Sequence, residues 1–265
     1  MAVTTERQHP DRVVTVEDTL MKAKHEYAYE LAASLIADGA AVLEVGFGEG
    51  YGTQLLGGRF ASYDGLELDD AVVAHARTRY GDPTLAFRAY DGGAFPYADA
   101  SFDVVLSFQV IEHVADVGIW LAEIRRVCRA GALVVLTTPN RRERVADGER
   151  PWNRYHLREF TDVELAEALA PHFRDVEIEG IYGTPAVEAL ERDRVARMRK
   201  IATIDRLGLR YLLPEPFVVR LGNIVRGGRR LHGGEAEQLP FTAADYARSS
   251  TRAGDGIDLL ALANA

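Results

Sequence analysis

The chain has 265 residues, of which 47% are hydrophobic, enough for one domain with a full core. Its formal net charge of −9 argues against a nucleic-acid partner, because phosphate binding relies on clustered Lys and Arg. No apolar run reaches the roughly 20 residues of a membrane span, and the N-terminus is polar, so we expect neither a span nor a secretion signal. Cys128 is the only cysteine, which excludes an internal disulfide and favours a cytoplasmic location.

Short apolar runs alternate with longer stretches of helical period from residue 20 to residue 181, which is typical of βαβ units around a parallel sheet. The predicted strands cover residues 41–45, 62–66, 85–89, 104–108, 133–137 and 176–181. The predicted helices cover residues 20–37, 50–56, 70–80, 117–128 and 162–170. This order indicates a doubly wound α/β fold.

The alternation stops after Ile181. Residues 185–207 have helical spacing among many arginines, a glycine-rich stretch follows, and residues 257–261 can return as a last strand. We therefore predict a Rossmann-like, mostly parallel sheet of seven strands, with helices on both faces and a helical insertion before the last strand. The predicted segments are a helical N-terminal part, a core, an insertion that covers part of the site and a final strand, over residues 1–40, 41–181, 182–254 and 255–265.

A glycine-rich turn, EVGFGEGYG (residues 44–52), joins the first strand to the next helix. Glycine permits positive φ and a close approach of the backbone to a ligand, and the amides of a helix N-terminus favour an anionic group. The turn lacks the Gly-Lys-Ser/Thr ending of a phosphate loop, and Tyr51 stands where a dinucleotide fingerprint needs glycine. Glu44 would repel a pyrophosphate, so it favours a ligand with a cationic group, such as an α-amino group.

Two further carboxylates follow strands. Glu67 comes after the second strand, about 20 residues beyond the glycine turn, where a carboxylate can accept hydrogen bonds from both ribose hydroxyls. Asp91 comes after the third strand, where it can accept from an adenine amino group while the Gly92 backbone approaches the ring. Together with the turn, these positions favour an amino-acid nucleoside as the ligand.

The series EVGFGEG, GLELD, AYDG, FPYADASFDVVLSFQVIEHV and LAEIRRVCRAGALVVLTTPN resembles the class I S-adenosylmethionine-dependent methyltransferases over residues 40–181. The resemblance implies S-adenosylmethionine as the cofactor. It assigns the methionine part to Glu44, Gly46, Gly48, Gly50 and Gln109, the ribose to Glu67, and the adenine to Asp91 and Gly92. Phe47 and Leu68 are further candidate cofactor contacts. The chain departs from the family in having glutamate for the usual aspartate at position 67 and Arg-Ala-Gly-Ala for Pro-Gly-Gly at 129–132.

A narrower resemblance rests on Thr138-Pro139-Asn140, WNRYHLREFT (152–161), Glu6-Arg7 and His25-Glu26-Tyr27. These stretches are similar to bacterial methyltransferases of sugars and polysaccharides, including actinobacterial enzymes that O-methylate mannose- or glucose-based polysaccharides. The resemblance implies a saccharide acceptor and a role in polysaccharide biosynthesis. The candidate acceptor contacts are Trp152, Tyr155 and Arg158. The two aromatic rings can stack on a sugar face or pack into the protein.

Methyl transfer to a hydroxyl needs a general base or a divalent metal, because a sugar hydroxyl is a poor nucleophile. His156, His113 and Glu112 follow the fifth and fourth strands at the edge where α/β sites form. His156 is either the base or a loop histidine bonded to backbone, and His113 is either catalytic or a turn cap. Glu112 can orient His113, bind a metal or lie exposed. No His, Asp and Glu set has the sequence spacing of a dedicated metal site, and a Mg²⁺ requirement stays open.

Three alternatives remain beside a saccharide O-methyltransferase. An acceptor pocket with an apolar lining would favour a small-molecule methyltransferase of secondary metabolism or quinone synthesis. Cofactor binding without turnover would favour a non-catalytic partner protein, and failure to bind S-adenosylhomocysteine would favour a nicotinamide dehydrogenase. The sequence does not indicate the oligomeric state.

Overall fold

The computed structural model describes residues 15–145, 149–204 and 241–265. Its strands are β1 (Ala41–Val45), β2 (Ser62–Glu67), β3 (Leu85–Ala89), β4 (Phe102–Phe108), β5 (Cys128–Pro139), β6 (Arg174–Gly183), β7 (Tyr246–Ser249) and β8 (Asp258–Asn264). Its helices are α1 (Val16–Leu35), α2 (Gly52–Leu55), α3 (Asp70–Tyr80), α4 (Val117–Val127), α5 (Arg141–Arg144), α6 (Asp162–Leu169) and α7 (Pro185–Ile204).

The strands form one sheet in the order β3-β2-β1-β4-β5-β8-β6-β7. The first five strands along this order pair in parallel, and β8 runs antiparallel to both β5 and β6. From β1 the chain continues to β2 on one side, and β4 lies on the other. In open α/β sheets a crevice forms at the carboxyl ends of the strands where the order reverses, so the fold places a binding crevice above β1 and β4.

The predicted α/β, mostly parallel sheet is confirmed, but the predicted count of seven strands is wrong. The eighth strand is β7, which pairs antiparallel with Gly180–Gly183 at the end of β6. The sequence Tyr-Ala-Arg-Ser of β7 is four residues long and lacks an apolar run, so no periodicity marks it. The segment predicted as a purely helical insertion therefore contains both α7 and a strand.

Helices cover both faces of the sheet, because side chains along each strand alternate between two hydrophobic clusters. In β1, Leu43 and Val45 join the cluster that includes α4 and α6, whereas Val42 joins the cluster that includes α1 and α3. The same alternation in β4 sends Val105 to the first cluster and Leu106 to the second. This two-sided burial explains why the central strands are apolar in sequence.

The helices of the core begin at side-chain caps. In α1 the cap is Thr15, whose hydroxyl accepts from the Asp18 amide while the Asp18 carboxylate accepts from the Thr15 amide. In α3 the Asp69 side chain accepts from the Ala71 amide. Such caps satisfy amides that have no partner within the helix, so they fix where α1 and α3 start.

Some predictions fall outside the described residues: the Glu6-Arg7 motif and the part of the insertion between residues 205 and 240, with its glycines. Within the described ranges, no helix combines the length and the hydropathy that crossing a bilayer requires. Cys128 is buried, and burial raises the pKa of its thiol to about 12, so it is an inert core residue. The cytoplasmic location that this thiol suggested stays a prediction.

Candidate functional site

The glycine turn between β1 and α2 lies at the crevice. Gly46 has φ +81°, and a Cβ there would collide with the side chain of Val110, just after β4. Its amide donates to the Leu66 carbonyl of β2 at 2.7 Å. Gly48 has φ +57°, and no protein atom lies within 4 Å of the position of a Cβ on it. Gly46 thus permits close packing between strands, while the half-buried Gly48 leaves open space where a side chain would stand.

The other turn residues predicted to hold the cofactor face the core. Gly50 is buried, and a Cβ on it would lie 3.1 Å from Ala76 and 3.2 Å from Tyr80 on α3. The Phe47 ring is 2% exposed and packs edge-on against Phe87, with ring centroids 5.0 Å apart. Only the backbone of these two residues can therefore contribute to a ligand site. At Phe47 and Gly50, the turn is held by packing against β3 and α3.

Glu44 also faces the core, which corrects the sequence interpretation of this residue. Its carboxylate oxygens accept hydrogen bonds from the hydroxyls of Tyr29 on α1 at 2.5 Å and Tyr63 on β2 at 2.6 Å, and the residue is 1% exposed. Burial raises the pKa of this carboxyl to about 7, although both hydroxyl donors oppose the shift. Glu44 therefore ties α1 and β2 together beneath the turn, instead of presenting its charge to a cofactor amino group.

Glu67 closes the far side of the turn at the end of β2. One carboxylate oxygen accepts from the Gly48 amide at 3.1 Å, and the other accepts from the Leu68 amide at 2.7 Å. The longer glutamate arm thus reaches back to the glycine turn. This position is compatible with the predicted ribose contact, since the half-buried carboxylate lies between β2 and the backbone of Gly48.

Asp91 and Gly92 follow β3, next to β2 in the sheet. Asp91 is exposed, and its Oδ1 accepts from the Gly93 amide at 2.9 Å, which shapes a tight turn. Gly92 has φ +85°, a conformation that only glycine adopts at little cost. The sheet order thus brings the ends of β1, β2 and β3 side by side, as an elongated nucleoside requires.

Gln109 follows β4 in a left-handed backbone conformation, with φ +57°. Its Nε2 donates to Asp258 Oδ2 at 3.0 Å and to Thr137 Oγ1 at 3.3 Å. Lys24 of α1 forms an ion pair with the same oxygen of Asp258 at 2.8 Å, and both charged side chains are buried. A strained, non-glycine residue held by a buried ion pair is typical of a functional position.

Three side chains predicted to act on the acceptor meet beyond the ends of β4 and β5. The carboxylate of Glu112 and the imidazoles of His113 and His156 each place one potential ligand atom within 4.8 Å of the others. The two imidazole rings meet edge-on with centroids 4.8 Å apart. Glu112 and His156 are buried, and His113 is half-buried. The structure therefore brings these three residues together although they are distant in the chain. His113 lies 42 positions before Tyr155, the residue that precedes His156.

Each side chain of this group is held by a hydrogen bond. His113 Nδ1 lies 3.0 Å from the Tyr155 carbonyl oxygen, and His156 Nδ1 lies 2.7 Å from Glu159 Oε1. Glu112 Oε2 accepts from the Thr138 hydroxyl at 3.0 Å. Burial raises the pKa of the Glu112 carboxyl, whereas the neighbouring histidines oppose this shift. The group, called the Glu112–His113–His156 cluster below, is a polar centre whose members are each held in place by a neighbouring polar group.

The predicted acceptor contacts divide into two kinds. The Trp152 ring packs against the guanidinium groups of Arg144 and Arg194, whose central carbons lie 4.6 and 5.8 Å from its centroid. The Trp152 ring therefore packs into the protein, which is the second of the two roles considered for it. Tyr155 is half-buried, and its carbonyl positions His113. Arg158 is exposed and lines a groove of about 610 Å³ beside Glu159.

Sequence reasoning missed several partners of these residues. Glu159 was quoted in a motif but given no role, and its spacing of three residues from His156 is the one local signal that could have identified it. Thr138, Tyr29, Tyr63, Lys24 and Asp258 reach the site from distant parts of the chain. No pattern in the sequence pairs them with the residues that they contact.

A family model described as a methyltransferase domain matches residues 43–136. A probable S-adenosylmethionine-dependent methyltransferase of Mycolicibacterium smegmatis is 40% identical over 153 residues, 58% of this chain and 58% of that protein. One of Mycobacterium tuberculosis is 33% identical over 192 residues, 72% of this chain and 68% of that protein. A solved S-adenosylmethionine-dependent methyltransferase of Thermotoga maritima has the same fold, with a TM-score of 0.57 at 15% identity over 93% of this chain and 90% of that chain.

The order of the site residues along the sheet and these comparisons lead to the same assignment. The matched domain spans the glycine turn, both carboxylates that follow β2 and β3, and the segment after β4. The aligned part of the chain covers more than two thirds of the mycobacterial relative. The chain therefore belongs to the S-adenosylmethionine-dependent methyltransferases.

Proposed function

We propose that this enzyme transfers the methyl group to a hydroxyl oxygen of its acceptor, with His156 as the general base. The observation that carries the proposal is the buried His156 imidazole, bonded through Nδ1 to the Glu159 carboxylate. A carboxylate at Nδ1 favours the tautomer with a basic Nε2 and stabilises the imidazolium that proton uptake creates.

The reaction is an in-line displacement. The acceptor oxygen attacks the methyl carbon, the bond from that carbon to the sulfonium sulfur breaks, and S-adenosylhomocysteine leaves with the electron pair. The hydroxyl proton passes to His156. Most of the acceleration comes from positioning, because a sulfonium methyl is already reactive. His113 and Glu112 line the same centre and set the orientation of the acceptor.

The cofactor contacts are part of the proposal. The Gly48 backbone and the half-buried Glu67 carboxylate would meet the methionine and ribose parts, and Asp91 with Gly92 would flank the adenine. Gln109, fixed by Asp258, would lie under the methionine end. Glu44 supports this arrangement indirectly through Tyr29 and Tyr63.

A saccharide is our first candidate for the acceptor. The groove beside Glu159 is lined more by charged than by apolar side chains, among them Arg141, Arg158, Glu159 and Glu164. Charged and hydrogen-bonding groups suit a polyhydroxylated ligand, whereas an apolar acceptor would require an apolar lining. The role in polysaccharide biosynthesis, which the sequence resemblance implies, stays a prediction.

A small lipid-like molecule is the second candidate, because named relatives favour it. A fatty-acid O-methyltransferase of Mycolicibacterium smegmatis is 30% identical over 135 residues, 50% of this chain and 49% of that protein. A ubiquinone biosynthesis O-methyltransferase of Rhizobium johnstonii is 26% identical over 140 residues. Both are named O-methyltransferases, which supports methyl transfer to oxygen rather than to nitrogen or carbon.

Transfer of labelled methyl groups tests the proposal. The purified enzyme would be incubated with S-adenosyl-[methyl-³H]methionine and two acceptor panels, one of mannosides and glucosides and one of hydroxylated or carboxylated lipids and quinols. We expect incorporation into a saccharide that depends on His156. Incorporation only into the lipid panel would show that the acceptor is a lipid or quinol and not a saccharide. Transfer to nitrogen or carbon alone would contradict O-methylation.

A further inference from the structure

We propose that the Glu112–His113–His156 cluster is a binding site for a divalent transition metal of the Zn²⁺ class. The cluster offers one carboxylate oxygen and two imidazole nitrogens within 4.8 Å of one another. At a Zn–N distance of about 2.0–2.1 Å, tetrahedral ligand atoms lie about 3.3 Å apart. Small side-chain rotations therefore suffice to bring the three donors around one ion.

The hydrogen bonds behind the cluster match those of a metal site. Histidines that bind metals usually donate their second ring N–H to a carbonyl or a carboxylate, which fixes the tautomer and the ring orientation. His113 Nδ1 lies 3.0 Å from the Tyr155 carbonyl oxygen, and His156 Nδ1 lies 2.7 Å from the Glu159 carboxylate. With Nδ1 engaged in both rings, Nε2 is the atom that each imidazole offers to a metal.

A hydrogen bond also holds the carboxylate of the cluster. Glu112 Oε2 accepts from the Thr138 hydroxyl, and Glu112 is 1% exposed. In the part of the chain that the structure describes, no Lys or Arg forms an ion pair with Glu112. A buried carboxylate without a cationic partner is unfavourable, and a divalent ion would supply the missing charge.

The chemical types of the three donor atoms indicate which ion the site would bind. Two imidazoles and one carboxylate are typical ligands of Zn²⁺ and of neighbouring first-row metals, and three protein ligands leave a coordination position for an oxygen. Mg²⁺ prefers oxygen donors in octahedral geometry, so the Mg²⁺ requirement that the sequence left open has no support from this cluster.

The metal would change the role of His156. In the metal-free enzyme His156 is the base; with the ion bound, His156 would be a ligand, and the ion would instead make the acceptor hydroxyl lose its proton more readily. This consequence rests on the proposed function, because it needs the acceptor oxygen at this place. Metal binding itself does not depend on any acceptor.

Co²⁺ binding tests the site, because tetrahedral Co²⁺ has a visible absorption spectrum. The full chain, freed of any histidine tag and treated with chelator, would be titrated with Co²⁺ and then with competing Zn²⁺. We expect one Co²⁺ per chain with tetrahedral absorption, displaced by Zn²⁺. His113→Ala and His156→Ala should abolish the spectrum, and Glu159→Gln should weaken affinity about 10- to 100-fold.

His172→Ala is the matched control, since His172 is half-buried beyond α6, away from the cluster, and we expect it to bind Co²⁺ like the wild type. Binding of S-adenosylhomocysteine, measured on each variant, confirms that the variant is folded. No Co²⁺ or Zn²⁺ binding at micromolar concentration, or binding that survives both histidine substitutions, would overturn the site. Metal binding without transfer to any hydroxyl would refute the proposed function alone, and transfer without metal binding would refute the metal site alone.

Discussion

Gln109 and Asp258 lie 149 positions apart in the chain, yet the Gln109 amide donates to the Asp258 carboxylate at 3.0 Å. The same carboxylate oxygen forms a buried ion pair with Lys24 of α1 at 2.8 Å. The segment after β4 is thereby connected to the first residue of β8 and to the N-terminal helix. Because Gln109 has an unfavourable positive φ, these contacts are what keeps it in place.

Removal of the Asp258 charge should therefore weaken both the fold and the cofactor site. Asp258→Asn removes the ion-pair partner of buried Lys24, and breaking a buried pair costs about 3–5 kcal/mol. We expect a loss of this order in the free energy of unfolding, measured in urea, and a higher Kd for S-adenosylhomocysteine.

The double variant Lys24→Met with Asp258→Asn separates charge from shape. It removes both buried charges, so it should recover most of the stability that the single variant loses. A double variant as unstable as Asp258→Asn would show that the ion pair is not the cause.

Gly48→Ala should reduce cofactor affinity far more than Gly57→Ala. Both glycines have positive φ, +57° and +68°, and neither has a protein atom within 4 Å of a Cβ position. Both substitutions should cost about 1–2 kcal/mol of stability, because alanine is strained in this conformation. Only the Cβ at position 48 would obstruct the ligand. We expect calorimetry to show at least a tenfold rise in the Kd of S-adenosylhomocysteine for Gly48→Ala and none for Gly57→Ala.

Glu44 should make the stability of the protein fall as pH rises toward neutrality. Its pKa is raised from 4.5 to about 7 in the folded state, so between these values the folded chain holds a proton that the unfolded chain releases. The stabilisation is complete at low pH, decreases through this window and is constant above it, a change of about 3 kcal/mol.

Glu44→Gln removes this dependence while keeping the shape of the side chain. Relative to the wild type, the variant should gain about 3 kcal/mol in unfolding free energy between pH 5 and pH 8. Glu30→Gln, at an exposed position of α1, is the control, and its pH profile should match that of the wild type. Parallel pH profiles for the wild type and Glu44→Gln would contradict the raised pKa.

His156→Ala should lower kcat for the acceptor by about 10²- to 10⁴-fold, the usual contribution of a general acid or base. The KM for S-adenosylmethionine should stay within about twofold, because the cofactor residues lie on other strands. Glu159→Gln keeps a hydrogen-bond acceptor for His156 but loses the charge, so we expect a smaller loss of kcat. His172→Ala should have full activity. An unchanged kcat in His156→Ala would exclude this residue from the chemistry.

Sequence periodicity predicts the parallel strands of the sheet, but it does not predict strand β7 or the start of β5. The central strands β1, β4 and β5 contain apolar runs buried on both faces, so their pattern is strong. Residue 128 was assigned to the end of a helix, but in the structure Cys128 pairs with Phe102 at the start of β5. That pairing depends on a partner strand, which local propensity cannot reveal.

For the site, the sequence located residues but not their surroundings. It predicted Glu112, His113 and His156 separately, because each follows a strand at the functional edge, and the fold then brings them within 4.8 Å. It gave Glu44 a cofactor role from its position beside the turn. Burial between Tyr29 and Tyr63 decides otherwise, and a contact with a residue on another element leaves no local trace.

Strand β7 also bears on how the edge of the sheet is protected. It covers the last four residues of β6, and within the described residues no strand pairs with the rest of that edge, whose backbone groups a second chain could bind. That part carries charged side chains: Arg174, Asp175, Glu177 and Glu179. A second strand that added there would have to bury or repel these charges, so this edge resists the strand-to-strand association that leads to aggregates.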